Sequence, residues 1–196
     1  LDLSIFAMPY KRWVTWYTPG KKGPSDRHQA EVMPQLAEQA VFDYILGNDD
    51  RRTNKNCYVA GGCKYQCRRP GEDTLSHLGP PTLLYIDQGK AFYMSGDPPN
   101  PLSEPNNTFC MFPRRIHSVC ARLSSNTTTG KVSSKAPAHL RTTLFHRLKD
   151  TTPKYIYSLV GDSHVKYTQR RLEQFLQHVA MCVQRYSERR VFVWPH

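Results

Sequence analysis

The feature that most constrains this chain is an apolar helical run that stops at a loop of charged residues. Between Gln35 and Leu46 the apolar residues fall at positions 36, 40, 41, 44 and 45, the spacing of one buried helix face. Phe42 and Leu46 lie on the other faces, so we expect neighbouring elements to surround the helix. Gly47 and Asn48 are typical of a helix C-terminus. The pattern predicts a buried helix followed by a firmly placed loop, with Pro34 in the first turn of the helix.

The loop after this helix carries adjacent carboxylates, Asp49 and Asp50, followed by two arginines. A further carboxylate, Asp87, ends a short apolar stretch over residues 82–86 that has the length of a buried strand. A carboxylate after a helix and another at a strand end form the arrangement of a kinase-type phosphoryl-transfer site. The Asp-Asp-Arg motif alone is more typical of a solvated, salt-bridged loop. The ordered pair of motifs is what favours a site.

Four segments of the chain resemble, in the same order, the C-terminal lobe of the four-jointed and Golgi casein kinase (Fam20-like) group of secretory-pathway kinases. They are Val41 to Arg51, Ile86 to Phe92, Cys110 to Arg115, and Gln169 to Leu176 leading to Cys182, so the resemblance covers about residues 39–187. It implies a mainly helical (α+β) lobe of an atypical protein-kinase-like fold with a small β element. Residues 1–196 would form this lobe without the N-terminal lobe, since no Gly-rich phosphate loop is present.

The resemblance implies that Asp50 orients the acceptor hydroxyl and takes its proton, with Asp49 as the alternative base. We expect Arg51 to brace the loop by pairing with a carboxylate. Asp87, at the end of a strand, would hold a divalent ion, since carboxylate oxygens are the ligands that hard cations prefer. The nucleotide would be ATP, with manganese or magnesium as the metal.

The amide that completes such a site is less clearly assigned by the sequence. The family places it five residues after the base, where this chain has Lys55, so either Asn54 or Asn56 could serve. Asn54 lies five residues after Asp49, and a simple turn-forming role is the competing interpretation. Two further departures are Arg52, where one branch has His, and Gln88, where the group has Asn.

These features predict a kinase lobe that transfers the γ-phosphate of ATP to Ser or Thr of secreted proteins or to a glycan, in the Golgi lumen or after secretion. The lobe by itself would show little turnover, and a homo- or heterodimer with a family member is a further expectation from the resemblance. Two alternatives stay open. One is a pseudokinase that serves as an activator or scaffold, and the other is an unrelated disulfide-stapled binding module.

The chain has a net charge of +11, from 27 Lys and Arg against 16 Asp and Glu. These cations are scattered along the sequence with little aromatic interleaving, which argues against nucleic-acid binding and is compatible with a phosphate or acidic substrate. No apolar run is long enough to span a membrane. The sequence begins at Leu1 without a signal-peptide pattern, and we expect it to be cut from a longer protein.

Six cysteines suggest disulfides in an oxidising compartment. Three of them, Cys57, Cys63 and Cys67, lie in a Gly- and Cys-rich insertion over residues 57–81. A zinc site formed by these cysteines with His77 is the weaker interpretation, because the spacing to His77 is poor and no second Cys pair follows. Two sequons, at Asn106 and Asn126, are consistent with glycosylation in the secretory pathway.

The resemblance pairs Cys110 with Cys182. Cys182 also lies on the apolar stripe of the predicted last helix, and Cys110 precedes a helix that must pack on something. The other four, Cys57, Cys63, Cys67 and Cys120, allow three pairings, of which Cys63 with Cys67 and Cys57 with Cys120 are preferred.

Three later helices are predicted from helical spacing, over 113–123, 137–148 and 165–187. The last buries Leu172, Phe175, Leu176, Val179, Val183 and Tyr186. Its arginines at 170, 171 and 185, with those at 189 and 190, are predicted to form a face that is mostly solvated.

Overall fold

The apolar run lies in a helix, α1, that extends over Arg27–Leu46 in a computed structural model of the chain. The structure describes residues 5–7, 13–25, 27–51, 57–59, 81–85, 89–92, 96–104, 107–124 and 143–194. The predicted helix end is confirmed: Gly47 takes a φ of 68°, in the left-handed region that a glycine adopts without steric cost.

The helix starts earlier than predicted, so Pro34 lies inside it rather than in its first turn. A proline in a helix interior removes one backbone hydrogen bond. Burial of Val32 and Met33 just before it, and of Leu36 and Ala37 just after it, offsets that cost. The expectation that neighbours surround α1 is met on its core side only, because Phe42 stays 42% exposed.

The second long helix, α4, spans Lys154–Tyr186 and packs against α1. Gly161, with a φ of 77°, interrupts it, so residues 154–160 and 162–186 are two helical pieces. The second piece corresponds to the predicted last helix. Its Leu172, Phe175 and Val179 are buried, and Leu176, Val183 and Tyr186 are partly buried against the same core, as the spacing predicts.

The core between these helices is rich in aromatic rings. Tyr17, in a 3-10 helix over Val14–Tyr17, stacks on Phe109 with ring centroids 4.2 Å apart. Phe112 meets Phe175 of α4 edge-to-face at 5.3 Å. Such pairs contribute about 0.5–1.5 kcal/mol each beyond the area they bury. They join the N-terminal part of the chain to the segment around Cys110.

The described residues contain three shorter helices as well. They are α2 (Arg114–Leu123), α3 (Leu144–Thr151) and α5 (Glu188–Val191), with a second 3-10 helix over Pro101–Ser103. Pro113 caps α2, as predicted. The helix predicted over 137–148 is present from Leu144, where Thr143 accepts a hydrogen bond from the His146 backbone, and residues 137–142 lie outside the described part.

A small antiparallel sheet forms the β element, with strands β1 (Ile5–Ala7), β2 (Cys57–Val59) and β3 (Thr82–Leu83) in the order β1-β2-β3. Tyr58 pairs with Phe6 on one side and with Leu83 on the other. The prediction of a mainly helical chain with a small β element is confirmed. Within the described residues, no helix is both long and apolar enough to cross a membrane.

Candidate functional site

The loop that follows α1 is held in place by hydrogen bonds of a buried asparagine, Asn48. Asn48 is fully buried, and its side-chain amide donates to Asp43 Oδ1 at 3.0 Å. Its Oδ1 accepts the backbone N–H of Asp50 at 3.2 Å, and its own backbone N–H donates to the Asp43 carbonyl at 2.9 Å. The position of the Asp50 backbone is therefore set by a side chain that has no access to water.

A buried ion pair between Arg51 and Asp43 also holds this loop against the end of α1. Arg51 Nε lies 2.6 Å from Asp43 Oδ2, and Arg51 Nη2 lies 3.3 Å from Oδ1. The two side chains are 6% and 0% exposed. The predicted pairing of Arg51 with a carboxylate is confirmed, and the partner is Asp43.

The sequence reasoning missed Asp43. Its signal was a carboxylate between Val41 and Tyr44, two residues of the apolar run, where an unpaired charge would be costly. The spacing of eight residues to Arg51 spans the helix end, so the pairing depends on how the chain turns at Gly47.

The two candidate carboxylates differ in their surroundings. The Asp50 side chain is 17% exposed, and Lys90 Nζ lies 4.0 Å from its Oδ2. Asp49 has a buried Oδ1 for which the described residues supply no hydrogen-bond donor. A buried carboxylate oxygen without a donor is costly unless a cation or a ligand donor satisfies it. Hard oxygen donors of this type suit Mg²⁺ or Mn²⁺.

The segment that contains Asp87 in the sequence is anchored to α1 on its N-terminal side. The Gln35 side chain accepts from the Leu83 backbone at 2.8 Å and donates to the Pro81 carbonyl at 2.9 Å. One turn further along α1, Gln39 donates to the Leu84 carbonyl at 3.3 Å. Residues 81–84 therefore run along α1 in the direction of its C-terminus.

The same segment is anchored on its C-terminal side to the end of α1 and the loop behind it. The backbone N–H of Asp49 donates to the Lys90 carbonyl at 3.4 Å, and that of Phe92 donates to the Leu46 carbonyl at 2.6 Å. Phe92 has a φ of 67°, a left-handed conformation that costs a bulky residue about 1–3 kcal/mol. Strain of this kind persists where surrounding contacts enforce it, here the bond to a carbonyl left open by the helix end.

Several predicted site residues lie outside the described part of the chain. They are Asp87, Asn54, Asn56, Cys63, Cys67, Asn106 and Asn126, together with the side chain of Cys57. The placement of Asp87 near Asp50, and the choice between Asn54 and Asn56, therefore stay predictions. The bounds of the 57–81 insertion do so as well.

One of the arginines predicted to be solvated is not. Arg171 of α4 is 1% exposed, whereas Arg170, Arg185 and the arginines at 189 and 190 are exposed. Arg171 is the exception to the predicted, mostly solvated face because it falls on the buried stripe of the helix, three residues after Thr168 and four before Phe175. The spacing carried this signal, but the charge of the side chain argued against it.

The cysteines in the described part give one agreement and one correction. Cys110 and Cys182 form a disulfide with a Cα–Cα distance of 5.4 Å, as expected from the resemblance. Cys120 is a buried free thiol, so its preferred pairing with Cys57 is wrong. It is 4% exposed on α2 and faces the core, where burial raises its pKa to about 12.

His178 lies beside the disulfide, with Nε2 2.9 Å from the Phe109 carbonyl oxygen and 3.3 Å from Cys182 Sγ. With Cys110 and Cys182 it forms the one cluster of three potential metal ligands in the described residues. Because both sulfurs are joined in the disulfide, neither is available as a thiolate ligand.

No protein-family model matches this chain, and no curated protein does. Among solved structures, the chain is similar to one of hydra Fam20 with sugar, at 17% sequence identity and a TM-score of 0.48. The match covers 97% of this chain and 49% of the hydra chain. The chain thus spans about half the length of that structure.

Proposed function

We propose that this chain is the C-terminal lobe of a secretory-pathway kinase that transfers the γ-phosphate of ATP to a Ser or Thr hydroxyl of a secreted protein or to a glycan hydroxyl. The observation that carries the proposal is the convergence of two segments. The loop that presents Asp49 and Asp50 is hydrogen-bonded at Asp49 to Lys90, three residues after Asp87 in the sequence. The four ordered motifs found in the sequence support the same assignment.

In this proposal, Asp50 is the base that orients the acceptor hydroxyl and takes its proton. Its backbone is held by Asn48 and the loop behind it by the Asp43–Arg51 pair, so the carboxylate is placed before the substrate arrives. Preorganisation of this kind is what phosphoryl transfer requires of a protein, because it asks for positioning and charge stabilisation more than for covalent chemistry.

Asp87 and Asn54 would hold a Mn²⁺ or Mg²⁺ ion, and the buried Oδ1 of Asp49 fits a role beside that cation. The bound ion would supply neutralisation of phosphate charge. Asn56 is the alternative to Asn54, and Asp49 is the alternative to Asp50 as base. Lys90, 60% exposed and 4.0 Å from Asp50, adds a cation to the rim of the same site.

A secretory location is part of the proposal. The Cys110–Cys182 disulfide supports it, since structural disulfides persist in oxidising compartments. The sequons at Asn106 and Asn126 agree with it. The acceptor, the choice between Mn²⁺ and Mg²⁺ and a dimer with a related chain are proposals that follow from the motif resemblance alone.

The test uses a full-length protein containing this chain, purified from the medium of secreting cells and assayed for ³²P transfer from labelled ATP with Mn²⁺ or Mg²⁺. Asp50→Asn should lower kcat by at least about 10²–10⁴-fold, the usual contribution of a general base, without weakening nucleotide binding. Asp87→Ala should remove both transfer and metal-dependent nucleotide binding. Asp150→Asn, which changes an exposed carboxylate on α3, is the matched control and should behave as wild type.

A wild-type protein that binds no nucleotide with either metal would refute the kinase proposal and favour the pseudokinase or binding-module alternative. Full activity in Asp50→Asn together with a loss in Asp49→Asn would reassign the base within the same site. The isolated lobe over residues 1–196 should show little or no turnover.

A further inference from the structure

The guanidinium group of Arg171 lies at the C-terminal end of α1, directly against Gly47. A Cβ atom built on Gly47 would lie 2.7 Å from Arg171 Cζ and 3.0 Å from Nη2, and closer still to Nη1. The planar group therefore occupies the space that any other residue at position 47 would need. A side chain at position 47 would therefore displace the guanidinium group, and the φ of 68° favours glycine there in any case.

The same guanidinium also reaches the chain that follows the Asp87 segment. Arg171 Nη2 donates to the Gly96 carbonyl at 2.8 Å. One planar side chain on α4 thus contacts the turn before the Asp49–Asp50 loop and the backbone beyond Phe92. Gly47 lies two residues before Asp49 and Gly96 lies six residues after Lys90, and the backbone contact between Asp49 and Lys90 carries the proposed site.

The electrostatic surroundings suit a buried cation at this place. The C-terminal end of a helix carries a partial negative charge, which favours a cation close to it. Burial lowers the pKa of Arg171, and the charge of the neighbouring Asp97 carboxylate acts in the opposite direction. The Tyr44 hydroxyl is in turn 3.3 Å from Gln174 Oε1, one helical turn along α4 from Arg171.

We propose that Arg171 is a positioning residue for phosphoryl transfer, which holds the Gly47 turn and the Gly96 segment in register and so fixes the backbone on either side of the contact between Asp49 and Lys90. The proposal rests on the kinase function proposed above. Arg171 itself does not touch substrate: it acts through the backbone of the two segments that it joins. The planar guanidinium matters because it packs against Gly47 while its Nη2 donates to the Gly96 carbonyl, and the single ammonium group of a lysine would not make both contacts.

The first test measures the positions of the loops without any reference to activity. Hydrogen–deuterium exchange of the full-length protein should show exchange faster by about tenfold or more over residues 44–51 and 89–97 in Arg171→Ala. Exchange over α2 and over 172–186 should be unchanged. Arg170→Ala is the matched control, because its side chain is exposed on the neighbouring position of the same helix.

The second test measures catalysis. Arg171→Ala should lower kcat by about 10²-fold with little change in the KM for ATP, the loss typical of reacting groups misplaced by about 1 Å. Arg171→Lys should not restore kcat. Guanidinium chloride at millimolar concentration should raise the kcat of Arg171→Ala severalfold, whereas urea at the same concentration should not.

These outcomes separate the positioning role from the proposed function. Exchange in Arg171→Ala that equals that of Arg170→Ala, or that rises uniformly over the whole chain, would overturn the positioning role. So would local loosening with an unchanged kcat. A wild-type protein without transfer activity would refute the kinase function, and the exchange measurement would still decide whether Arg171 holds the two segments. If Arg171→Ala does not fold, the same readouts in Arg171→Lys decide the question.

Discussion

The buried pair of Asp43 and Arg51 gives the sharpest test of how the loop after α1 is held. Asp43→Asn keeps the shape of the side chain and removes its charge. It leaves a guanidinium that is 6% exposed without the carboxylate that neutralises it. Removing one partner of a buried ion pair costs about 3–5 kcal/mol, because the remaining charge stays desolvated.

A matched control lies on the same helix. Glu38 of α1 pairs with Arg115, but the Arg115 side chain is 64% exposed, so water screens the pair. Exposed pairs contribute about 0–1 kcal/mol. Glu38→Gln should therefore change the free energy of unfolding by no more than about 1 kcal/mol, although it removes the same kind of contact from the same helix.

The assay is urea unfolding of the oxidised chain, followed by far-UV circular dichroism. With a urea dependence of about 1–3 kcal/mol/M, a loss of 3–5 kcal/mol lowers the midpoint by at least about 1 M. A double variant, Asp43→Leu with Arg51→Met, replaces the pair with apolar groups of similar size. It should be more stable than either single change, since no charge is left buried.

The reasoning would be refuted if Asp43→Asn and Glu38→Gln lowered the midpoint equally. It would also be refuted if the double variant lost the sum of the two single losses, because the residues would then act independently. Either result would mean that Asn48 and the backbone hold the loop without help from the ion pair.

Three further outcomes are expected. Because burial raises the pKa of Cys120 to about 12, iodoacetamide at pH 8 should alkylate this thiol only after unfolding, and stoichiometric labelling of the native protein would contradict its burial. Non-reducing peptide mapping should recover Cys110 joined to Cys182, and a free Cys182 thiol would show that α4 packs differently. Cys182→Ser should lower the free energy of unfolding by about 4 kcal/mol in the chain-entropy account. Burial lowers the pKa of His178 below its ordinary value of 6.5, so the unfolded chain binds more protons than the folded one in this range. The stability from this group is fully present above pH 6.5 and is lost as the pH falls below it. His178→Gln should therefore flatten the pH dependence of the unfolding midpoint between pH 7.5 and 5. An unchanged slope would assign the pH dependence to other groups.

Much of the helical architecture was predictable because its signals are local. The end of α1 at Gly47 follows from a stop residue after an apolar run, and the start of α2 follows from Pro113. Phe175 and Val179 were placed in the core by periodicity alone. Pro34 was placed wrongly, since a local rule for helix starts was overridden by burial of the residues around it.

The candidate site was predictable only in its residue types. Two adjacent carboxylates after a helix indicate a chemistry, and Arg51 was expected to need a carboxylate partner. The choice of Asp43 as that partner depends on the path of the chain through the turn at Gly47. Tertiary structure also decided the state of Cys120. The even number of cysteines favours a disulfide, but packing leaves this thiol buried and unpaired.

Arg171 shows where sequence reasoning stops. By itself, the sequence determined the helix that carries it, because apolar periodicity is a property of neighbouring residues. It did not determine whether a charged residue whose spacing places it on the apolar stripe stays buried there. Tertiary structure decided this, since it places the guanidinium group against Gly47, a residue without a side chain, and beside the Gly96 carbonyl, which accepts a hydrogen bond from it.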